Sequence, residues 1–273
     1  MPIWRGSTFP PTVPPEARIG AGPAPRERWI VGAALLAAAG LAWAWLLSQP
    51  AGDATMAGMA GAGMAAALPW SADYLLPAFA MWALMMVAMM LPSAMPMILL
   101  YARVAAKTEP HGAYRRTSLF TLAYLALWTG FALAAATLQA LLVARGTVSD
   151  MALALGDGRL AGALLIAAGL YQLTPLKRAC LENCRSPLSF VMRLWRPGTA
   201  GALRLGLAHG AYCIGCCWAL MLLLFVGGVM NLAWIGGLAL LVLVEKLAPA
   251  RLPAPQAAAA ALILAGGVLL VGG

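Results

Sequence analysis

The sequence predicts an all-α protein: a polytopic bundle of about seven transmembrane helices with a cytoplasmic N-terminus. Three observations predict it. Of the 273 residues 63 % are hydrophobic and 10 % charged, against roughly 45–50 % and about 25 % in an ordinary soluble domain. Mean hydropathy is +0.84. The apolar residues also gather in stretches near the length that crosses a bilayer. Such a chain has too few polar groups to cover a water-facing surface. A soluble enzyme, a disordered protein and a secreted disulfide scaffold are excluded, and the lipid bilayer becomes the first partner.

The elements follow in order. Residues 1–28, rich in Pro and Arg (Pro10, Pro11, Pro14, Pro15, Pro23, Pro25), read as a disordered cytoplasmic tail. Residues 29–273 form the transmembrane domain, whose first apolar stretch reads as an uncleaved helix. Spans are expected over 29–47, 74–101, 117–143, 160–176, 205–226, 230–247 and 256–272. The uncharged run Leu205–Val244 is 40 residues, about 60 Å as one helix and twice a bilayer core. It must fold back, and Gly227, Gly228 and Asn231 mark the turn.

Charge sets the orientation. The net charge is +9, but the basic residues sit between apolar stretches and no basic run is interleaved with aromatics, so nucleic acid is not an expected partner. With the N-terminus inside, only Arg145 and Arg159 among the 18 Lys and Arg fall outside. Lys177, Arg178, Arg185 and Lys246 are counted here as topology-setting charges.

Chemistry is expected from sulfur. Only nine acidic residues occur, with Asp73 and Glu245 at span edges, so carboxylate catalysis is not expected and no enzymatic activity is predicted. In the second span Met81, Met85 and Met89 recur at i, i+4, i+8 and share one helix face. Met86 and Met90 repeat the spacing beside it, and Pro92 and Pro96 free backbone carbonyls. In the fifth span His209, Cys213 and Cys216 lie within about 60° on one face, with Cys217 at its side. One imidazole and several thiols suit Cu(I), with Zn(II) as the other candidate. Gly206 and Gly210 allow a close helix approach near His209. Cys180 and Cys184 form a C-x-x-x-C pair flanked by Lys177, Arg178 and Arg185, which should favour thiolate, the metal-binding form. A cytosolic position argues against a permanent disulfide. All five cysteines then fall at or near the cytoplasmic half. On the other side Met56, Met59 and Met64 offer thioethers in a Gly/Ala segment.

These segments resemble an uncharacterised bacterial family of predicted metal-binding integral membrane proteins. Met81-Trp82 through Ala88-Met89-Met90-Leu91-Pro92-Ser93 and on to Pro96 looks like its first hallmark. Lys177-Arg178-Ala179-Cys180 through Cys184-Arg185-Ser186-Pro187 resembles the second. The third is matched by Gly206 through His209-Gly210, Cys213, Gly215-Cys216-Cys217-Trp218, followed by Met230-Asn231 and Glu245-Lys246. The resemblance covers roughly 70–250 and implies a multi-span protein of the bacterial inner membrane that binds metal, with copper as its candidate.

The expectation is a membrane protein that handles Cu(I), by transfer, cuproenzyme loading or transport. His209, Cys213 and Cys216 form its core site, with Cys217 beside them. Cys180 and Cys184 act as partners or acceptor, and Met81, Met85 and Met89 as a thioether path. Expected partners are a soluble copper chaperone or a membrane cuproenzyme. Asn231 and the Glu245–Lys246 pair are expected to serve packing and helix boundaries. Two rivals stand beside this reading: a thiol–disulfide relay between Cys180/Cys184 and Cys213/Cys216, and a non-catalytic assembly subunit in which the sulfur is incidental. A bis-His haem is not expected, since only His111 accompanies His209.

Overall fold

The computed structural model describes residues 25–48, 68–148, 153–249 and 252–272. The expected tail lies outside these residues except at its end, where the first helix already starts at Pro25. Met56, Met59 and Met64 lie outside them as well. Among the described residues there is no strand, only one isolated bridge between Val148 and Leu155.

Each of the seven expected stretches is helical. They correspond to α1 (Pro25–Ser48), α2 (Ala72–Thr108), α3 (Ala113–Ala144), α4 (Gly158–Gln172), α7 (Gly198–Leu222, continued by the short α8, Leu224–Gly227), α9 (Leu232–Leu247) and α10 (Ala254–Gly272). Between α4 and α7 lie two shorter helices, α5 (Pro175–Arg185) and α6 (Pro187–Leu194).

Length separates them. Among the described residues five helical stretches are long and apolar enough to cross a membrane: 29–48, 72–108, 113–144, 198–227 and 254–272. A sixth is reached if α4 and α5, bent by 63° at their junction, count as one broken span. With 16 residues α9 rises about 24 Å, and α4 alone with 15 about 22 Å, both short of a hydrocarbon core of about 30 Å. Two of the seven expected spans are therefore helices of less than full length.

Local chemistry explains the breaks. Thr174 caps α5, accepting from Lys177 N at 3.3 Å, and Pro175 opens the helix with no N–H to continue α4. The long uncharged run turns where Gly and Asn predict it. Gly228 takes φ +92°, which favours glycine, and Asn231 caps α9 by accepting from Trp234 N at 3.1 Å. In α2, Pro92 cannot donate to the carbonyl of Ala88. That carbonyl instead accepts from Trp43 Nε1 of α1 at 3.0 Å, so the proline's missing bond becomes the dock for α1.

The core forms where α2, α3 and α7 pack together. A Cβ on Gly206 would stand 2.3 Å from the Phe120 carbonyl oxygen, and one on Gly210 would touch Leu127 at 3.1 Å. The expected small-residue approach thus seats α7 on α3. Glycine serves α4 and α10 in the same way, because a Cβ on Gly162 would lie 2.7 Å from Gly266 O. On α2, Trp82 Nε1 donates to Gln139 Oε1 at 2.7 Å, and Gln139 Nε2 donates to Tyr74 OH at 2.9 Å, so the polar groups between α2 and α3 are paired.

Replacing Gly206 by Ala should push α3 from α7 and cost about 1–3 kcal/mol, read as a lowered Tm of the detergent-purified protein. Gly237→Ala is the control. Nothing lies within 4 Å of a Cβ there, so the change should leave Tm unchanged or raise it.

Candidate metal centre

The last turn of α9 carries two adjacent charges, and both are buried. Glu245 and Lys177 of α5 form an ion pair of 2.7 Å with side chains 1 % exposed on each side. The other Glu245 oxygen accepts from Gln172 Nε2 of α4 at 2.8 Å, and its backbone carbonyl accepts from Arg185 Nε of α5 at 2.6 Å. One acidic residue therefore pins both sides of the α4–α5 bend. Glu245 stands at the end of its helix as the sequence predicts, and it is nonetheless buried. Lys177 and Arg185, counted among the charges that set topology, are both bonded to it. The physical reason is mutual: neither charge can be buried unless the other, 68 residues away, is buried with it.

Lys246 points into the sulfur. Its Nζ donates to Cys213 Sγ at 2.9 Å and to Ser93 Oγ of α2 at 3.0 Å, with the residue 6 % exposed. Ser93 in turn donates to Met90 O at 2.9 Å. Tyr124 of α3 reaches the same thiol, its OH 3.2 Å from Cys213 Sγ. Lys246 stands at the helix boundary expected of it, and its ammonium also bonds a thiol there.

The thiols come from two helices. On α7 the Cys216 and Cys217 sulfurs are 3.2 Å apart, and Cys216 Sγ donates to Cys213 O at 3.2 Å. Cys184 of α5 brings its sulfur within 4.0 Å of Cys216 Sγ. All five cysteines are free, and Cys184 is partly exposed where Cys213, Cys216 and Cys217 are buried.

The other expected site residues are placed apart. Cys180 lies on the same helix as Cys184 but against the α7 backbone, since a Cβ on Gly215 would stand 2.7 Å from its sulfur. The hydroxyl of Tyr171 donates to the Gly215 carbonyl, so that glycine admits both neighbours. His209 is boxed by aromatic rings. It stacks on Tyr124 at 5.2 Å and Phe120 at 6.1 Å, and meets the edge of Phe190 from α6 at 5.8 Å. Neither of its ring nitrogens has a hydrogen-bond partner. Met81, Met85 and Met89 are buried, and so are Met86 and Met90 on the adjoining face. Both faces pack into the core.

Among the described residues no group of three or more His, Cys, Asp or Glu side chains is arranged to hold a metal ion. One sulfur pair nevertheless fits one. Two thiolates about 2.3 Å from a shared ion stand roughly 3.8–4.6 Å apart, depending on whether the angle between them is tetrahedral or linear. The 4.0 Å gap between Cys184 and Cys216 falls in that range.

A family described as PpoB2, copper chaperone, matches residues 79–269. The chain belongs to the PpoB2 copper chaperone family. No curated protein and no solved structure matches it. The PpoB2 match takes in Met81 through Lys246, and with them every segment that converges on the thiols. Met56, Met59 and Met64 lie outside it. Lys246 and Ser93 are the residues that sequence reasoning missed, and the signal was present: a Glu–Lys pair ending an apolar helix is costly unless both find partners.

Removing one side of the ion pair tests the knot. Lys177→Met leaves Glu245 buried without its cation and should lower stability by about 3–5 kcal/mol. Lys177→Met/Glu245→Gln should lose less than that single change, as read by Tm in detergent. A double variant that loses more would show the two side chains act independently.

Proposed function

We propose that the protein is an integral membrane, non-enzymatic copper chaperone that receives Cu(I) as cargo on the thiols of α5 and α7 and passes it on. The observation that carries this reading is the approach of Cys184 Sγ to Cys216 Sγ, 4.0 Å across two helices, in a chain of the copper chaperone family. Cu(I) is soft and settles for two or three sulfur ligands, whereas structural Zn(II) asks for four. Cys184 and Cys216 hold the ion, with Cys213 and Cys217 as adjoining ligands to which it can move. Of these four cysteines Cys184 is the residue that is not fully buried, and ion exchange with a soluble copper chaperone or a membrane cuproenzyme is assigned to its end of the cluster. Cys180 supplies packing against Gly215, and His209 fills the aromatic box.

The membrane setting follows from chain chemistry. Lys/Arg placement supports a cytoplasmic N-terminus and a cytoplasmic Cys184 end of the bundle, and the resemblance noted in the sequence supports a bacterial inner membrane. Lys177, Glu245 and Lys246 are charges that an apolar bundle tolerates only as a paired internal network.

The test is metal analysis of the full chain, purified in detergent under anaerobic reducing conditions and offered Cu(I). The parent should retain about one copper per chain and Cys184→Ser/Cys216→Ser about none. Copper retained undiminished by that variant, or none in the parent, would overturn the reading. The same 4.0 Å approach would also serve a thiol–disulfide relay, which predicts a Cys184–Cys216 disulfide on mild oxidation and no copper uptake. Mass spectrometry of the alkylated chain separates the two.

A further inference from the structure

The ammonium of Lys246 is buried beside the thiols with a thiol and a hydroxyl as its partners. Among the described residues no carboxylate pairs with it. The adjacent Glu245 is already taken by Lys177 and Gln172, so no carboxylate is left to balance the Lys246 charge. A buried charge of this kind is costly unless the site brings an opposite one to it.

We infer that Lys246 is the countercharge of the copper site and determines its preference for a monovalent ion over a divalent one. This rests on the copper reading above. When Cu(I) binds two cysteines, two S–H bonds break, two protons leave to water and two Cu–S bonds form. The ion with its two thiolates then carries one negative charge. The Lys246 ammonium cancels it, and the centre as a whole is neutral. A divalent ion on the same two thiolates is neutral by itself, and Lys246 would leave the centre positive. In a low-dielectric interior this difference falls on selectivity. The position of the ammonium suits the role: its bond to Cys213 Sγ sets it against the sulfur group, and Ser93 holds it from the opposite helix. Lys246 is thus a specificity-determining residue that need not touch the ion.

The experiment uses the full chain in detergent and measures Cu(I) affinity by competition with a chromophoric Cu(I) chelator and Zn(II) affinity by competition with a chromophoric zinc chelator. Lys246→Gln keeps a hydrogen-bond donor and removes the charge. It should weaken Cu(I) binding roughly tenfold or more, while Zn(II) binding holds or tightens. Lys246→Arg keeps the charge and should retain most of the Cu(I) affinity. Unchanged Cu(I) affinity in Lys246→Gln, or an equal loss for both ions, would overturn the inference, because equal loss marks a structural role.

A second variant keeps the test decisive if Lys246→Gln folds poorly. Cys213→Ser keeps the cation and removes only its thiol partner. If the ammonium balances the ion held by Cys184 and Cys216, Cys213→Ser should keep the parent's preference for Cu(I) over Zn(II). Loss of that preference with Lys246 still in place would contradict it. A parent that takes up no Cu(I) at all overturns the copper reading and this inference with it. A parent that binds while its Lys246 variants match it overturns the inference alone.

Discussion

Two neighbouring charges of opposite sign, Glu245 and Lys246, must be satisfied inside an apolar bundle, and that constraint organises the rest of the structure. Glu245 is met by Lys177, Gln172 and Arg185. Lys246 is met by Ser93 and Cys213. The partners come from α2, α4, α5 and α7, so one turn of one helix fixes four others. An unpaired charge in such surroundings costs more than any single packing contact stabilises. The thiols inherit their arrangement from this knot. Lys177 and Arg185 bring α5 to the end of α9, and Cys184, one residue before Arg185, is carried toward Cys216.

Much of this was legible in the chain. Seven apolar stretches gave seven helical stretches. The reversal after Gly227 and the close approach at Gly206 follow from glycine chemistry and appear where expected. The grouping of cysteines from two distant motifs also followed, because both were assigned to one end of the bundle. Other features were not legible, for reasons that are physical. Lys177 and Lys246 look like boundary charges because a sequence does not show that their partners stand 68 and 153 residues away. The C-x-x-x-C spacing suggests paired thiols, yet Cys180 meets the backbone at Gly215 while Cys184 meets sulfur. His209 shares a helix face with Cys213, but Phe120, Tyr124 and Phe190 close around the ring, a tertiary fact that helical periodicity does not carry.

The thiols sit on two separate helices. Cys213, Cys216 and Cys217 lie on α7, held to α3 by Gly206 and Gly210. Cys184 lies on a short helix that starts at a 63° bend and is tied to α9 through Lys177 and Arg185. The prolines of α2 contribute at a distance. Pro92 hands a carbonyl to Trp43, which seats α1, and the following Ser93 faces Lys246.

The most direct test is the copper K-edge X-ray absorption spectrum of the anaerobically Cu(I)-loaded, detergent-purified protein. The account predicts a first shell of sulfur alone at about 2.3 Å, unchanged in Cys180→Ser and His209→Phe variants. A shell containing nitrogen at about 2.0 Å that disappears in His209→Phe would contradict it, because the imidazole would then be a ligand instead of a packed ring.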